Sequence, residues 1–258
     1  MTEFPPPTPA ATLVIFRRAA DGGPPELLML ERAAKMRFAA RAMVFPGGRV
    51  DPSDHALAEQ LQAKGDEPGI DTADMAARIA AIRETLEEVG LVVGVNQAVT
   101  ADEAKRARQL VIQHETLEPV LDAFGWTLDI GRLVPFARWC PKWERAFDTR
   151  FYLTDLGTGA VELSADETES SHLRWASARQ TLAWSDEDSV RVIFPTARNL
   201  DRLALYADFA EAVAHAEAHP VQTITPRIMD LDGEPHLTIP EGLGYPVTRQ
   251  PMRTVKRG

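Results

Sequence analysis

The stretch from Asp71 to Gly90 constrains this chain more than any other. Its apolar residues Met75, Ile79, Ile82, Leu86 and Val89 step by four, three, four and three, which puts them in one stripe along an α-helix. Asp71 or Thr72 can cap the start, and Gly90 can end the helix in a left-handed conformation that other residues resist. Such a stripe has to be covered, so the helix predicts a packed core beneath it. The opposite side carries Glu84, Glu87 and Glu88. At about 100° per residue they fall together, about 5–6 Å apart, and repel by a few tenths of a kcal/mol per pair. One reading is a solvated acidic face. The other is a seat for a hard divalent cation, which prefers carboxylate oxygen and removes the repulsion. The spacing alone leaves both open.

Strand and turn signals surround this helix. Ala11 to Phe16 has strand content, Asp21 to Pro25 is turn chemistry, and Glu26 to Leu30 reads as the returning strand. Arg32 to Arg41 is a basic loop, and Ala42 to Phe45 a short strand ending at Pro46-Gly47-Gly48, where two glycines free the backbone. Residues 56–64 predict a short helix and Gly65 to Gly69 a surface loop, together an excursion over about 55–71. A second helix is expected over Ala101 to Phe124. Strands are expected near Leu133–Trp139, Thr149–Leu153 and His172–Trp175, and a long helix from Thr196 to Ala218. The proline-rich residues 1–10 should be extended and poorly ordered, 11–218 should form the domain, and 219–258 a tail with a hairpin around Asp232-Gly233.

Composition narrows the function. At 258 residues and 45% hydrophobic the chain can bury one substantial core. A net charge of −10 argues against nucleic acid as a partner, so an anionic substrate needs a local basic pocket. No apolar run approaches the ~20 residues that span a bilayer, and the N-terminus lacks a secretory pattern. A lone Cys140 suits a reducing compartment, which makes the cytoplasm the expectation. Whether the chain is a monomer or a homodimer stays open.

Gly48, Asp54 and the run Arg83-Glu84-Thr85-Leu86-Glu87-Glu88-Val89-Gly90-Leu91 together resemble the Nudix hydrolase family, whose motif is G-x5-E-x7-R-E-U-x-E-E-x-G-U with U a bulky aliphatic residue. The C-terminal half is complete. Two departures stand out: the first acid is Asp54, and 28 residues separate it from Arg83 where the motif has seven, an insertion of 21. This expanded box resembles the subgroup that includes the peroxisomal coenzyme A diphosphatases. So do Arg138-Trp139-Cys140-Pro141, Arg145-Ala146-Phe147-Asp148-Thr149-Arg150-Phe151, and Glu167-Thr168 before Leu173-Arg174-Trp175. The resemblance spans about Thr12 to Pro195.

The resemblance implies a Nudix-type α/β/α sandwich around a mixed β-sheet. It also implies a Mg²⁺ or Mn²⁺ site formed by the Gly48 carbonyl and the Glu84, Glu87 and Glu88 carboxylates. Arg83 would orient a box carboxylate, or else form a surface pair with Glu87 at i+4. Asp54 could make a contact beside the site or cap a helix beginning near His55; neither reading prevails. The general base would come from the box or from a later loop, where Asp166, Glu167 and Glu169 are candidates and Glu167 is carried as the catalytic one. Arg32, Lys35, Arg37 and Arg41 flank the glycine turn as substrate-binding candidates, or as an ordinary basic surface. His172 and Cys140 read as packing or surface residues. The implied reaction is metal-dependent hydrolysis of a diphosphate in a nucleotide-like molecule. Coenzyme A or acyl-coenzyme A leads, to 3′,5′-ADP and phosphopantetheine. ADP-ribose or another nucleoside diphosphate derivative is the alternative enzyme substrate, and a non-catalytic ligand sensor the alternative class.

Overall fold

The chain is organised around β1 (Thr8–Arg17), followed by β2 (Glu26–Arg32), β3 (Met43–Val44) and β4 (Gly47–Arg49). The computed structural model describes residues 5–32, 42–65, 69–144, 146–156 and 170–256. Helices α1 (Pro52–Lys64), α2 (Thr72–Val89), α3 (Ala101–His114) and α4 (Glu118–Phe124) come next, then strands β5 (Val134–Trp139), β6 (Phe147–Asp155) and β7 (Ser170–Ala176). Helices α5 (Ala178–Asp186), α6 (Phe194–Leu203) and α7 (Phe209–Ala218) precede the tail strands β8 (Thr223–Ile224), β9 (Arg227–Leu231), β10 (Glu234–Thr238) and β11 (Arg249–Pro251). No helix among the described residues is long and apolar enough to cross a membrane.

The large sheet is mixed. β1 pairs in parallel with β6 from Thr8↔Phe147 to Phe16↔Asp155, and antiparallel with β4 at Ala10–Thr12 and with β2 at Phe16–Arg17. Alternation along the strands sorts their side chains to two faces. Leu13, Ile15, Leu28 and Leu30 pack beneath the α2 stripe of Met75, Ile79, Ile82, Leu86 and Val89. Val14, Phe16, Leu27 and Met29 face Leu200 and Leu203 of α6, Ala212 and Ala216 of α7, and Leu237 and Tyr245 of the tail. Helices therefore cover both faces, the α/β/α sandwich expected from the box. Truncating one stripe residue such as Leu86 to alanine should cost about 2–5 kcal/mol.

Several boundaries fall elsewhere than expected, each for a local reason. Residues 8–10 join the sheet instead of trailing from it, because β6 offers a parallel partner and the Thr8 N–H donates to the Ala146 carbonyl at 2.9 Å. The expected helix over 101–124 is two helices: Glu115 turns left-handed with φ 54°, and Pro119 opens the next. The expected helix over 196–218 also divides, since Asp208 caps α7 by accepting from the Glu211 N–H at 2.9 Å. α5 was not foreseen. The insertion is largely helical. α1 starts at Pro52, before the expected 56, and ends where Gly65 adopts φ 81°. Its Leu57 and Ala58 are buried in the core that α2 shares. In the tail, β9 and β10 pair antiparallel through Asp232 and Gly233.

Candidate active site

The glycine segment is strand β4 itself, paired to β1 through Thr12↔Gly47 and Ala11↔Gly48. Gly47 has φ 151°, and a β-carbon there would stand 2.3 Å from the Ala11 carbonyl oxygen, so only glycine fits. A β-carbon on Gly48 would stand 2.3 Å from Glu84 Cδ and from its Oε1. The Glu84 carboxylate thus lies directly against the Gly48 backbone. Glu88 is anchored to the same segment, its Oε2 accepting the Gly47 N–H at 2.9 Å. The excursion between Asp54 and Thr72 loops out and returns, so Gly48 and the acidic side of α2 meet although 35 residues lie between Gly48 and Glu84.

Arg83 organises the carboxylates. Its guanidinium grips Asp54 with two bonds, Nε to Oδ1 at 3.0 Å and Nη2 to Oδ2 at 2.9 Å, and Nη2 also donates to the Arg49 carbonyl at 3.0 Å. Nη1 faces Glu84 Oε1 at 3.1 Å and Glu87 Oε1 at 3.3 Å, and Asp51 Oδ2 lies 3.3 Å from Nη2. Arg83 is therefore no surface pair, being 2% exposed, with Asp54 at 1%. Burial works against its charge, but the Asp54 hydrogen bonds and the charges of Glu84, Asp54 and Glu87 outweigh burial and push its pKa up. Asp54 is not the N-cap of a helix at His55, but it does help to cap α1, closing the capping box whose N-cap is Asp51. It sits inside the first turn of α1 and accepts the Asp51 N–H at 2.8 Å, tying the insertion helix to the box arginine.

The acidic side is also less open than a solvated face. Glu88 is 5% exposed, and burial foremost raises the Glu87 carboxyl, with Asp54 and Asp51 adding to the effect and Arg83 opposing it. Four carboxylates lie within ion-pair reach of one guanidinium. That excess of negative charge, in oxygen donors only, suits a hard divalent cation in kind. Among the described residues, however, no three His, Cys, Asp or Glu side chains are already gathered as metal ligands: Glu84 and Glu87 lean on Arg83, and Glu88 on Gly47.

At its other end α2 is clamped to the sheet. Asp74 accepts from Tyr152 Oη at 2.7 Å, Arg150 Nη1 at 2.8 Å and Arg78 Nε at 2.8 Å. At the end nearest the carboxylates, Arg108 of α3 donates to the main-chain carbonyls of Glu87 and Glu88 at 3.0 and 3.1 Å. Nothing in the box pattern pointed to Arg108; only its place on a neighbouring helix reveals it. The other candidates gather less closely. Arg32 ends β2, and its buried Nε finds no partner among the described residues. Lys35, Arg37, Arg41, Asp166, Glu167 and Glu169 lie outside the described residues. His172 is exposed, 3.5 Å from Glu31, and burial pushes the half-buried Cys140 thiol up, away from the reactive thiolate.

Known proteins resemble the chain in sequence and in fold. No family model matches it. It is 25% identical over 234 residues to the acyl-coenzyme A diphosphatase NUDT19 of Gallus gallus, covering 70% of this chain and 62% of that protein. Against the acyl-coenzyme A diphosphatase NUDT19 of Xenopus laevis it is 22% identical over 268 residues, covering 78% and 70%. The chain thus spans less than two thirds of the chicken protein's length. The crystal structure of a NUDIX hydrolase from Alicyclobacillus acidocaldarius matches with a TM-score of 0.66 and 28% identity, over 81% of this chain and 96% of that one. The fold is that of the Nudix hydrolases, and the sequence resembles the coenzyme A diphosphatases among them.

Proposed function

We propose that this Nudix-fold chain is a divalent-cation-dependent diphosphatase, and that its substrate is coenzyme A or acyl-coenzyme A. The observation that carries the hydrolytic reading is the packing of the Glu84 carboxylate against Gly48, with Glu88 bonded to Gly47 and Glu87 gathered by the same arginine. An acidic face with no task would be solvated; this one is folded onto a glycine strand. The likeness to acyl-coenzyme A diphosphatases supports the choice of substrate.

The Gly48 carbonyl and the carboxylates of Glu84, Glu87 and Glu88 would hold Mg²⁺ or Mn²⁺. When bound, the ion neutralises the diphosphate and lowers the pKa of a water. Arg83 prepares the site. It restrains Glu84 and Glu87 on one side and is itself fixed by buried Asp54, so the carboxylates are oriented before any substrate arrives. Gly47 fixes Glu88 through its amide. Hydrolysis adds the elements of water across one P–O–P bridge and leaves a phosphate on each product, here 3′,5′-ADP and phosphopantetheine or its acyl form. Proton removal falls to a box carboxylate or to Glu167.

The test is a panel of coenzyme A, acyl-coenzyme A, ADP-ribose and other nucleoside diphosphate derivatives, incubated with the chain and Mg²⁺ or Mn²⁺, with products identified by mass spectrometry. Formation of 3′,5′-ADP is expected. Cleavage of ADP-ribose but not coenzyme A would overturn the substrate, undiminished turnover after exhaustive chelation would overturn the metal, and nucleotide binding without turnover of any compound would overturn hydrolysis itself.

A further inference from the structure

α2 ends on two carboxylates, Glu87 and Glu88, with no basic residue in its last turn. This is the unfavourable end for them, because a helix C-terminus carries about half a negative charge and leaves four carbonyls without partners inside the helix. Gly90 closes back on the Leu86 carbonyl at 3.0 Å and leaves the next carbonyls to other groups. The compensating charge comes from a different helix. Arg108 donates its Nε–H to the Glu87 carbonyl at 3.0 Å and its Nη2–H to the Glu88 carbonyl at 3.1 Å. Its own helix is well founded: Ala107 and Val111, on either side of it, are fully buried in the core that α2 shares, and Thr100 with Glu103 closes the start of α3.

We propose that Arg108 is a positioning residue of the hydrolytic site, which sets the last turn of α2 and so the direction of the Glu87 and Glu88 carboxylates; this rests on the proposed function. Glu88 is then held at both ends, its side chain by the Gly47 amide and its carbonyl by Arg108. A planar guanidinium spans two successive carbonyls with parallel donors, which a single ammonium cannot do. Its charge also offsets the helix end where the two carboxylates stand.

The experiment compares wild type with Arg108→Met, Arg108→Lys and Arg108→Gln. Binding of Mn²⁺ alone is read from the electron paramagnetic resonance signal of the free ion, alongside kcat, KM and Tm. Removing a residue that orients metal ligands typically weakens metal binding about 10–100-fold. Arg108→Met should show that loss together with a fall in kcat and little change in KM. Lysine should recover part of both, and glutamine, a donor without charge, should recover less than lysine. If Arg108→Met does not fold, the lysine and glutamine variants carry the same comparison. Variants with a lowered Tm but wild-type Mn²⁺ binding and kcat would overturn the proposal, leaving Arg108 as a stabilising contact only. A wild-type chain that neither binds Mn²⁺ nor turns over substrate would instead bring down the reading of the site itself.

Discussion

Helices α2 and α6 lie on opposite faces of the same sheet, and both bury charged residues, yet they treat them in opposite ways. On α2 the more deeply buried of two cations, Arg83, is surrounded by carboxylates: Asp54, Asp51, Glu84 and Glu87. On α6 the buried cations have few. Arg202, 2% exposed, donates to the Phe136 carbonyl at 2.9 Å and lies 4.1 Å from the Phe136 ring centroid; among the described residues its Nε, Arg198 Nε and Asn199 Nδ2 find no partner. Buried charge is costly and persists where something compensates it. Around α6 the compensation is a single ion pair, Arg198 with Asp201 at 2.9 Å, together with rings and carbonyls that knit α6 to β5 and the tail, which is a scaffold's arrangement. Around α2 four carboxylates meet one guanidinium, and the proposed hydrolytic site rests on that surplus.

The largest expected effect separates the two helices by activity. Glu87→Gln or Glu88→Gln should lower kcat by orders of magnitude while Tm stays close to wild type, because the amide keeps the shape and its oxygen can still accept, from Arg83 at position 87 and from the Gly47 N–H at position 88. Near-normal turnover in either variant would mean that the wrong carboxylates have been chosen. On α6, Arg202→Met should leave kcat per folded molecule unchanged; a comparable loss there would erase the contrast.

The next effect separates them by stability. Arg83→Met strands Asp54, a carboxylate only 1% exposed, without its charge partner, and should cost about 3–5 kcal/mol in urea unfolding. Arg202→Met strands a carbonyl but no carboxylate and should cost less, about 1–3 kcal/mol. Equal losses would show that the surplus of carboxylates makes no energetic difference. Smaller still, Tyr245→Phe removes the hydroxyl that donates to Asn199 Oδ1 at 2.8 Å, while Trp139 Nε1 still donates to the same oxygen at 3.2 Å. A loss of about 1 kcal/mol is expected, with no change in kcat.

The α6 side should also respond to acid. His215 Nδ1 lies 2.8 Å from Tyr206 Oη and 3.4 Å from Arg202 Nη2, which can only donate, so this nitrogen accepts and the ring is neutral. Burial foremost, then the charges of Arg202 and His219, push its pKa down to about 4. In the unfolded chain the ring takes up a proton near pH 6.5, so the stability it supports is present above that pH and erodes as the pH falls towards 4. Wild type should therefore lose Tm between pH 7.5 and 5 by more than His215→Gln does; equal losses would remove His215 as the source.

Much of the site was legible because it obeys local rules. The stripe from Met75 to Val89, the caps at Asp71 and Gly90 and the grouping of Glu84, Glu87 and Glu88 follow from helical geometry, and each stands where that geometry puts it. The Asp54–Arg83 grip, the burial of Glu88 and the reach of Arg108 were not legible. They join residues 29, 41 and about 20 positions apart, and no periodicity connects such residues. The helix breaks at Glu115 and before Asp208 were missed for a related reason: neither carries the glycine that usually announces a left-handed turn or a stop.

By itself, then, the sequence determined that one helix would be apolar on one side and acidic on the other, and that a glycine pair would stand upstream of it, because backbone periodicity and side-chain chemistry act within a few residues. Only the tertiary structure decided that the insertion would leave as helix α1 and return, that the acidic side would close onto β4 instead of facing water, and that Arg83 and Arg108 would hold it from two directions. Those outcomes depend on which surfaces pack together, and packing is settled by the whole core at once.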